Sequence, residues 1–222
     1  MEPQYDNQRA AKFLDLINMV QTSLPFTLWL MGPTASGKTT LAEAYLDRLR
    51  IRNIPSIHFD GDEVRDFFSG QLGFRKQDRL KVVSTVVYLA NKARDAGLNV
   101  IVSALTANPD AREYVLKNLH GPIMGYVKCS ISTCTDRDPK GLYAKAKSGK
   151  ITTLIGWSEE YNPPDDPDLI LDTESNVVAT LLDQIDDLIF GNPSYTNSGE
   201  NEKPRNPTRY GDWENNGRCI DF

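Results

Sequence analysis

The run Gly32-Pro33-Thr34-Ala35-Ser36-Gly37-Lys38-Thr39-Thr40 sets two glycines, a lysine and a hydroxyl residue at the spacing G-x-x-x-x-G-K-[ST]. Glycines let the backbone curl until successive N–H groups converge, and a ring of amides is a seat for an anion. Lys38 adds the positive charge that bridges the β- and γ-phosphates of a nucleoside triphosphate, and Thr39 offers a hydroxyl to Mg²⁺. The pattern counts only between a buried strand and a helix. That context is present: Phe26 to Met31 is a short apolar run, and Lys38 to Arg50 reads as a helix. The segment is therefore a P-loop, a seat for ATP with Mg²⁺.

A second group, Asp60-Gly61-Asp62-Glu63-Val64-Arg65, follows a predicted strand at Ser56 to Phe59. Open α/β sheets bind ligands at the carboxyl ends of their strands. Two carboxylates there, Asp60 and Asp62, can divide the work beside a phosphate seat: one orients Mg²⁺, and the other accepts the proton of an attacking hydroxyl. Arg65 then holds an anionic group of the acceptor. A third group, Arg137, Lys140, Lys145, Lys147 and Lys150, crowds positive charge into one stretch of an acidic chain. A lid closing over phosphates requires this, and a solvated basic helix face is the plainer reading.

These residues need a scaffold. Short apolar runs predict strands at 26–31, 56–59, 99–102, 123–129 and 169–171, and helical spacing predicts helices at 38–50, 78–96, 109–119 and 177–190. Strands alternating with helices mean an α/β fold of the P-loop type, a mostly parallel five-stranded sheet with helices on both faces. A leading amphipathic helix occupies residues 1–24, and the kinase-type domain runs over 25–190. Residues 191–207 form a polar linker, and 208–222 a short motif with Tyr210, Trp213, Ile220 and Phe222. Too short to fold alone, that tail needs a surface on this protein or on another.

A chain of 222 residues with 40% hydrophobic and 25% charged residues suits one such domain plus an appendage. A net charge of −5 gives no global reason to bind nucleic acid or an anionic membrane. Cys129, Cys134 and Cys219 lack the spacing of a disulfide framework or zinc site, and no apolar run approaches the ~20 residues of a membrane span. A cytoplasmic location is the expectation. Asn91-Lys92-Ala93-Arg94 lacks the aspartate of a guanine-binding motif, which leaves the small-molecule kinases; His58 and His120 receive no role.

At this point the residues resemble a family, the adenylyl-sulfate (APS) kinases, which transfer a phosphoryl group from ATP to the 3′-hydroxyl of adenosine 5′-phosphosulfate. The resemblance spans Leu28 to about Phe190. It rests on the P-loop, Asp60 to Arg65, Leu72 to Phe74 with Asp78-Arg79, Asp95 to Ser103, Arg137 to Ala146, and Pro167 to Thr173. It implies Asp62 as the base and Arg65, Phe74, Arg79, Ser103, Lys145 and Leu154 on the acceptor side. Arg137, Lys140 and Lys145 would belong to the lid, over a small-molecule acceptor. A homodimer is an expectation left open.

The ATP half matches the pattern and the acceptor half departs from it. Where the family has N-x-R-R after D-R, this chain reads Leu80-Lys81-Val82-Val83, and the aromatic residue that stacks on the acceptor's adenine is Leu154. Losing two guanidiniums and a stacking ring costs on the order of several kcal/mol of APS binding. A divergent branch that acts on cytidine diphosphate phosphoramidate is compatible with these changes. Thr208 to Phe222 is similar to the tail of succinate dehydrogenase assembly factors, which implies partner docking and keeps a nucleotide-regulated binding module as the alternative.

Overall fold

Strand β1 (Thr27–Met31) is buried along its whole length, and its alternating side chains define both layers of the fold. Trp29 and Met31 enter one core, Leu28 and Leu30 the other. In a pleated strand successive residues point to opposite faces, so an uninterrupted apolar run means a strand covered on both sides. The computed structural model describes residues 25–69, 72 and 75–191. The predicted leading helix within 1–24, the residues beyond 191 and Phe74 lie outside them.

Five strands form one sheet in the order β2-β3-β1-β4-β5, every neighbouring pair parallel. The others are β2 (Ser56–Asp60), β3 (Asn99–Ala104), β4 (Pro122–Lys128) and β5 (Leu169–Asp172). Leu28 is level with Ile101 on β3 and Ile123 on β4. Helices α3 (Lys76–Asp95) and α4 (Pro109–Asn118) supply Val82, Val83, Val86, Val87, Ala90, Ala111 and Val115 to the core with Trp29. Helices α1 (Lys38–Ile51) and α7 (Val178–Asp186) supply Leu41, Tyr45, Leu49, Leu181 and Ile185 to the core with Leu28.

The expected strands and long helices are present, and the sheet is wholly parallel. Three short helices were not expected: α2 (Gly61–Phe67), α5 (Ile131–Arg137) and α6 (Leu142–Lys147). Six or seven residues are too few for a helical period to stand out in sequence, and such pieces form through caps and tertiary contacts. Asp60 caps α2 by accepting from the amide of Asp62, and Ser130 caps α5 by accepting from that of Thr133. The predicted helix over 177–190 instead ends at Asp186 and passes into a π-helical turn, Asp187–Gly191. Among the described residues no helix is long and apolar enough to cross a membrane.

Leu171 of β5 is fully buried against the α1 and α7 side of the sheet. Truncation leaves a cavity that a close-packed sheet cannot refill, so Leu171→Ala should lower the unfolding free energy by roughly 2–5 kcal/mol in a urea titration.

Candidate active site

The loop between β1 and α1 lies at the carboxyl end of the central strand, where β3 and β4 flank it. Gly32 passes so close to β4 that an added Cβ would stand 2.4 Å from the carbonyl oxygen of Val127, so no larger residue fits there. Ala35 (φ 62°) and Gly37 (φ 99°) adopt left-handed backbone, the curl that an anion-holding ring of amides requires. Thr34, Ala35, Gly37, Lys38, Thr39 and Thr40 line a cavity of about 590 Å³, while Gly32, Pro33 and Ser36 are buried behind the loop. The Lys38 ammonium donates to the carbonyl of Pro33 at 2.7 Å, which holds it over the loop and leaves its other donors for phosphate oxygens. Burial pulls its pKa down to about 8 against the opposing pull of Asp62, Cys134 and Asp60.

Asp60 is 6% exposed, and a carboxylate so deep must be fully hydrogen-bonded. The Ser103 hydroxyl donates to it at 2.6 Å, the Thr39 hydroxyl at 2.8 Å and the amide of Asp62 at 2.7 Å. Burial works against its charge, yet these three donors hold its carboxyl below the usual range. Ser103 lines the cavity, but its hydroxyl is committed to Asp60 and to Nε2 of His58 at 2.9 Å. Those two contacts place its hydroxyl between β2 and the cavity. A hydroxyl and a carboxylate oxygen on adjacent elements are hard donors that suit Mg²⁺, which completes its shell with substrate phosphates and water. Thr39 and Asp60 meet that description.

The other carboxylate, Asp62, stands at the start of α2 and is bridged at 2.6 Å by Lys140 from the turn between α5 and α6. The helices on either side of that turn are linked to the P-loop, α6 directly and α5 through Thr173. The Tyr143 hydroxyl donates to the carbonyl of Thr34 at 3.1 Å. Arg137 donates to the hydroxyl and carbonyl of Thr173, whose own hydroxyl donates to the carbonyl of Ser36. Of the basic stretch expected as a lid, Arg137 and Lys140 line the cavity. Lys145 does not: α6 turns Tyr143 and Ala146 inward, which points Lys145 into solvent.

On the side toward α3, Arg65, Arg79 and Leu154 line the cavity together with Val82, Val83, Leu105 and Ile155. Burial lowers the pKa of Arg65 despite the nearby Asp62. Arg79 donates to the carbonyl of Thr153 at 3.1 Å and pairs with Glu159 at 3.4 Å. Leu154 is only 8% exposed and joins Cys129, Cys134, Tyr143 and Ala146 in a small core shared with α5 and α6. Sequence reasoning missed the supports of this wall. Thr106 sits at φ 39°, a left-handed conformation costly for a β-branched residue. It is held by the Trp29 indole donating to its hydroxyl at 2.9 Å and by Arg112 donating to its carbonyl at 3.0 Å.

A family model described as adenylylsulphate kinase matches residues 24–172. The chain belongs to the adenylyl-sulfate kinase family. It is 38% identical over 158 residues to the adenylyl-sulfate kinase of Deinococcus deserti, covering 71% of this chain and 87% of that one. It is 33% identical over 160 residues to that of Staphylococcus carnosus, covering 71% and 80%. The fold matches the Mycobacterium tuberculosis APS kinase CysC in complex with AMPPNP and APS, with a TM-score of 0.69 and 29% identity over 75% of this chain and 98% of that one. A second model, a protein of unknown function (DUF1674), matches residues 196–222. As a member of the adenylyl-sulfate kinase family, the chain is a phosphotransferase with a hydroxyl acceptor.

For this adenylyl-sulfate kinase-family site, the depressed pKa of Lys38 predicts a proton change on binding. A pKa of about 8 would leave about half of the Lys38 ammonium groups deprotonated at pH 8 in the free protein, and a bound polyanion would restore the proton. Calorimetry in buffers of different ionisation enthalpy should find uptake of about half a proton per nucleotide at pH 8, fading toward zero by pH 6. The Lys38→Met protein should show none.

Proposed function

We propose that the protein transfers the γ-phosphoryl group of ATP to a hydroxyl of a small, nucleotide-linked acceptor, with adenylyl sulfate as the first candidate. The observation that carries this reading is one shared cavity: Lys38 and Thr39 of the P-loop, Asp62 and Lys140 at the lid, and Arg65 and Arg79 toward α3 all line it. At about 590 Å³ it lies in the range of small-molecule sites.

The reaction follows from what each group can do. The P-loop amides and Lys38 hold the β- and γ-phosphates, and Arg137 and Lys140 close over them. Asp62 takes the proton of the acceptor hydroxyl while its oxygen bonds to the γ-phosphorus, the bond to the β,γ-bridging oxygen breaks, and ADP leaves. Thr39 and Asp60 are the residues that would hold Mg²⁺, which when bound neutralises charge on the β- and γ-phosphate oxygens. Arg65 and Arg79 hold the acceptor's anionic group.

A second reading changes only the acceptor. Aliphatic Val82, Val83 and Leu154 line the wall where the family's substrate grip and stacking ring were expected, which favours a different nucleotide-linked acceptor such as cytidine diphosphate phosphoramidate.

Purified protein with ATP and Mg²⁺ should release ADP only when an acceptor is added, and comparing adenylyl sulfate with cytidine diphosphate phosphoramidate separates the two readings. No turnover with either acceptor counts against the proposal. Asp62→Asn should cut kcat roughly 100- to 10,000-fold while ATP affinity is kept, as loss of a base predicts; an unchanged kcat removes Asp62 from that role.

A further inference from the structure

His58 has no part in the reaction as derived above, yet it sits directly behind the carboxylate that would hold Mg²⁺. On β2, residues 57 and 59 pack into the core with Trp29, so His58 shares the opposite face with Asp60. The register pairs Asp60 with Ser103 and His58 with Ile101, which sets the imidazole diagonally across from the serine. Nε2 of His58 lies 2.9 Å from the Ser103 oxygen, and Ser103 donates its single proton to Asp60 at 2.6 Å.

The direction of that chain is fixed by counting protons. A serine hydroxyl has one hydrogen and two lone pairs. With its hydrogen on Asp60, Ser103 can only accept from His58, so Nε2 carries a hydrogen. Without that donor the hydroxyl is free to rotate away from Asp60. The Asp60 carboxylate would then depend on Thr39, the same hydroxyl that would turn to Mg²⁺ when the metal binds, and on the Asp62 amide alone.

We infer that His58 is a positioning residue: by donating to Ser103 it locks the serine proton onto Asp60, and so holds the carboxylate in place when Thr39 turns to Mg²⁺. This rests on the reading of Thr39 and Asp60 as the metal-holding pair. Groups behind a metal ligand orient it and are felt in metal affinity more than in other properties.

The test is calorimetry of AMPPNP binding to the full chain, with Mg²⁺ and with EDTA, in the wild type and in His58→Leu, His58→Asn and His58→Gln. Glutamine places an amide N–H where Nε2 stands, whereas asparagine is too short and leucine has no donor. The Mg²⁺-dependent gain in affinity should fall about tenfold in the leucine and asparagine variants and stay within about twofold of wild type in the glutamine variant, with EDTA affinities unchanged in all. The inference is overturned if the asparagine variant keeps the full gain, if glutamine falls as far as asparagine, or if affinity drops equally with and without the metal. The asparagine and glutamine pair decides the matter even if the leucine variant does not fold. A wild type that binds AMPPNP no better with Mg²⁺ than without would instead overturn the metal-site reading beneath it.

Discussion

A single buried carboxylate ties the active site to the fold. Asp60 ends β2, caps α2, accepts from Thr39 in the first turn of α1 and from Ser103 on β3. Burying an ion costs several kcal/mol unless donors surround it, so the charge on Asp60 favours the arrangement of those four elements that brings three donors together. The same arrangement sets the phosphate loop, the would-be metal oxygens and the acid at Asp62 around one cavity. Position follows from electrostatic necessity, and the chemistry uses the position.

Helices α5 and α6 are tied to the loop through its carbonyl groups. Tyr143 reaches the carbonyl of Thr34, and Thr173 links Arg137 to the carbonyl of Ser36. Both use loop carbonyls and so take up none of the loop's amide donors. Lys140 meets Asp62 through an exposed ion pair of little intrinsic strength, which a competing phosphate can displace.

Much of this was readable from the chain because it is local. The P-loop, the strand before it and the helix after it fall within a continuous stretch, and the period of the apolar residues gave each strand and long helix. What escaped is what distance in sequence hides. Ser103 meets Asp60 across 43 residues, Tyr143 meets Thr34 across 109, and Thr173 meets Ser36 across 137. Charge density and the family resemblance both point to Lys145 in the lid, whereas side-chain direction on a six-residue helix is not visible in sequence. Thr106 could not be foreseen either: its left-handed backbone is accompanied by a hydrogen bond from Trp29, 77 residues earlier, which no local pattern announces.

The proposed transfer depends on a triphosphate held in the curl between β1 and α1, where its metal would lie against Thr39 and Asp60. A crystal structure of the full chain with AMPPNP and Mn²⁺ tests that directly, because manganese can be located by its anomalous scattering. The account predicts the β-phosphate enclosed by the amides of residues 34–39 and the manganese peak at the Thr39 hydroxyl beside Asp60. Nucleotide bound elsewhere, or a manganese peak away from that pair, would contradict it.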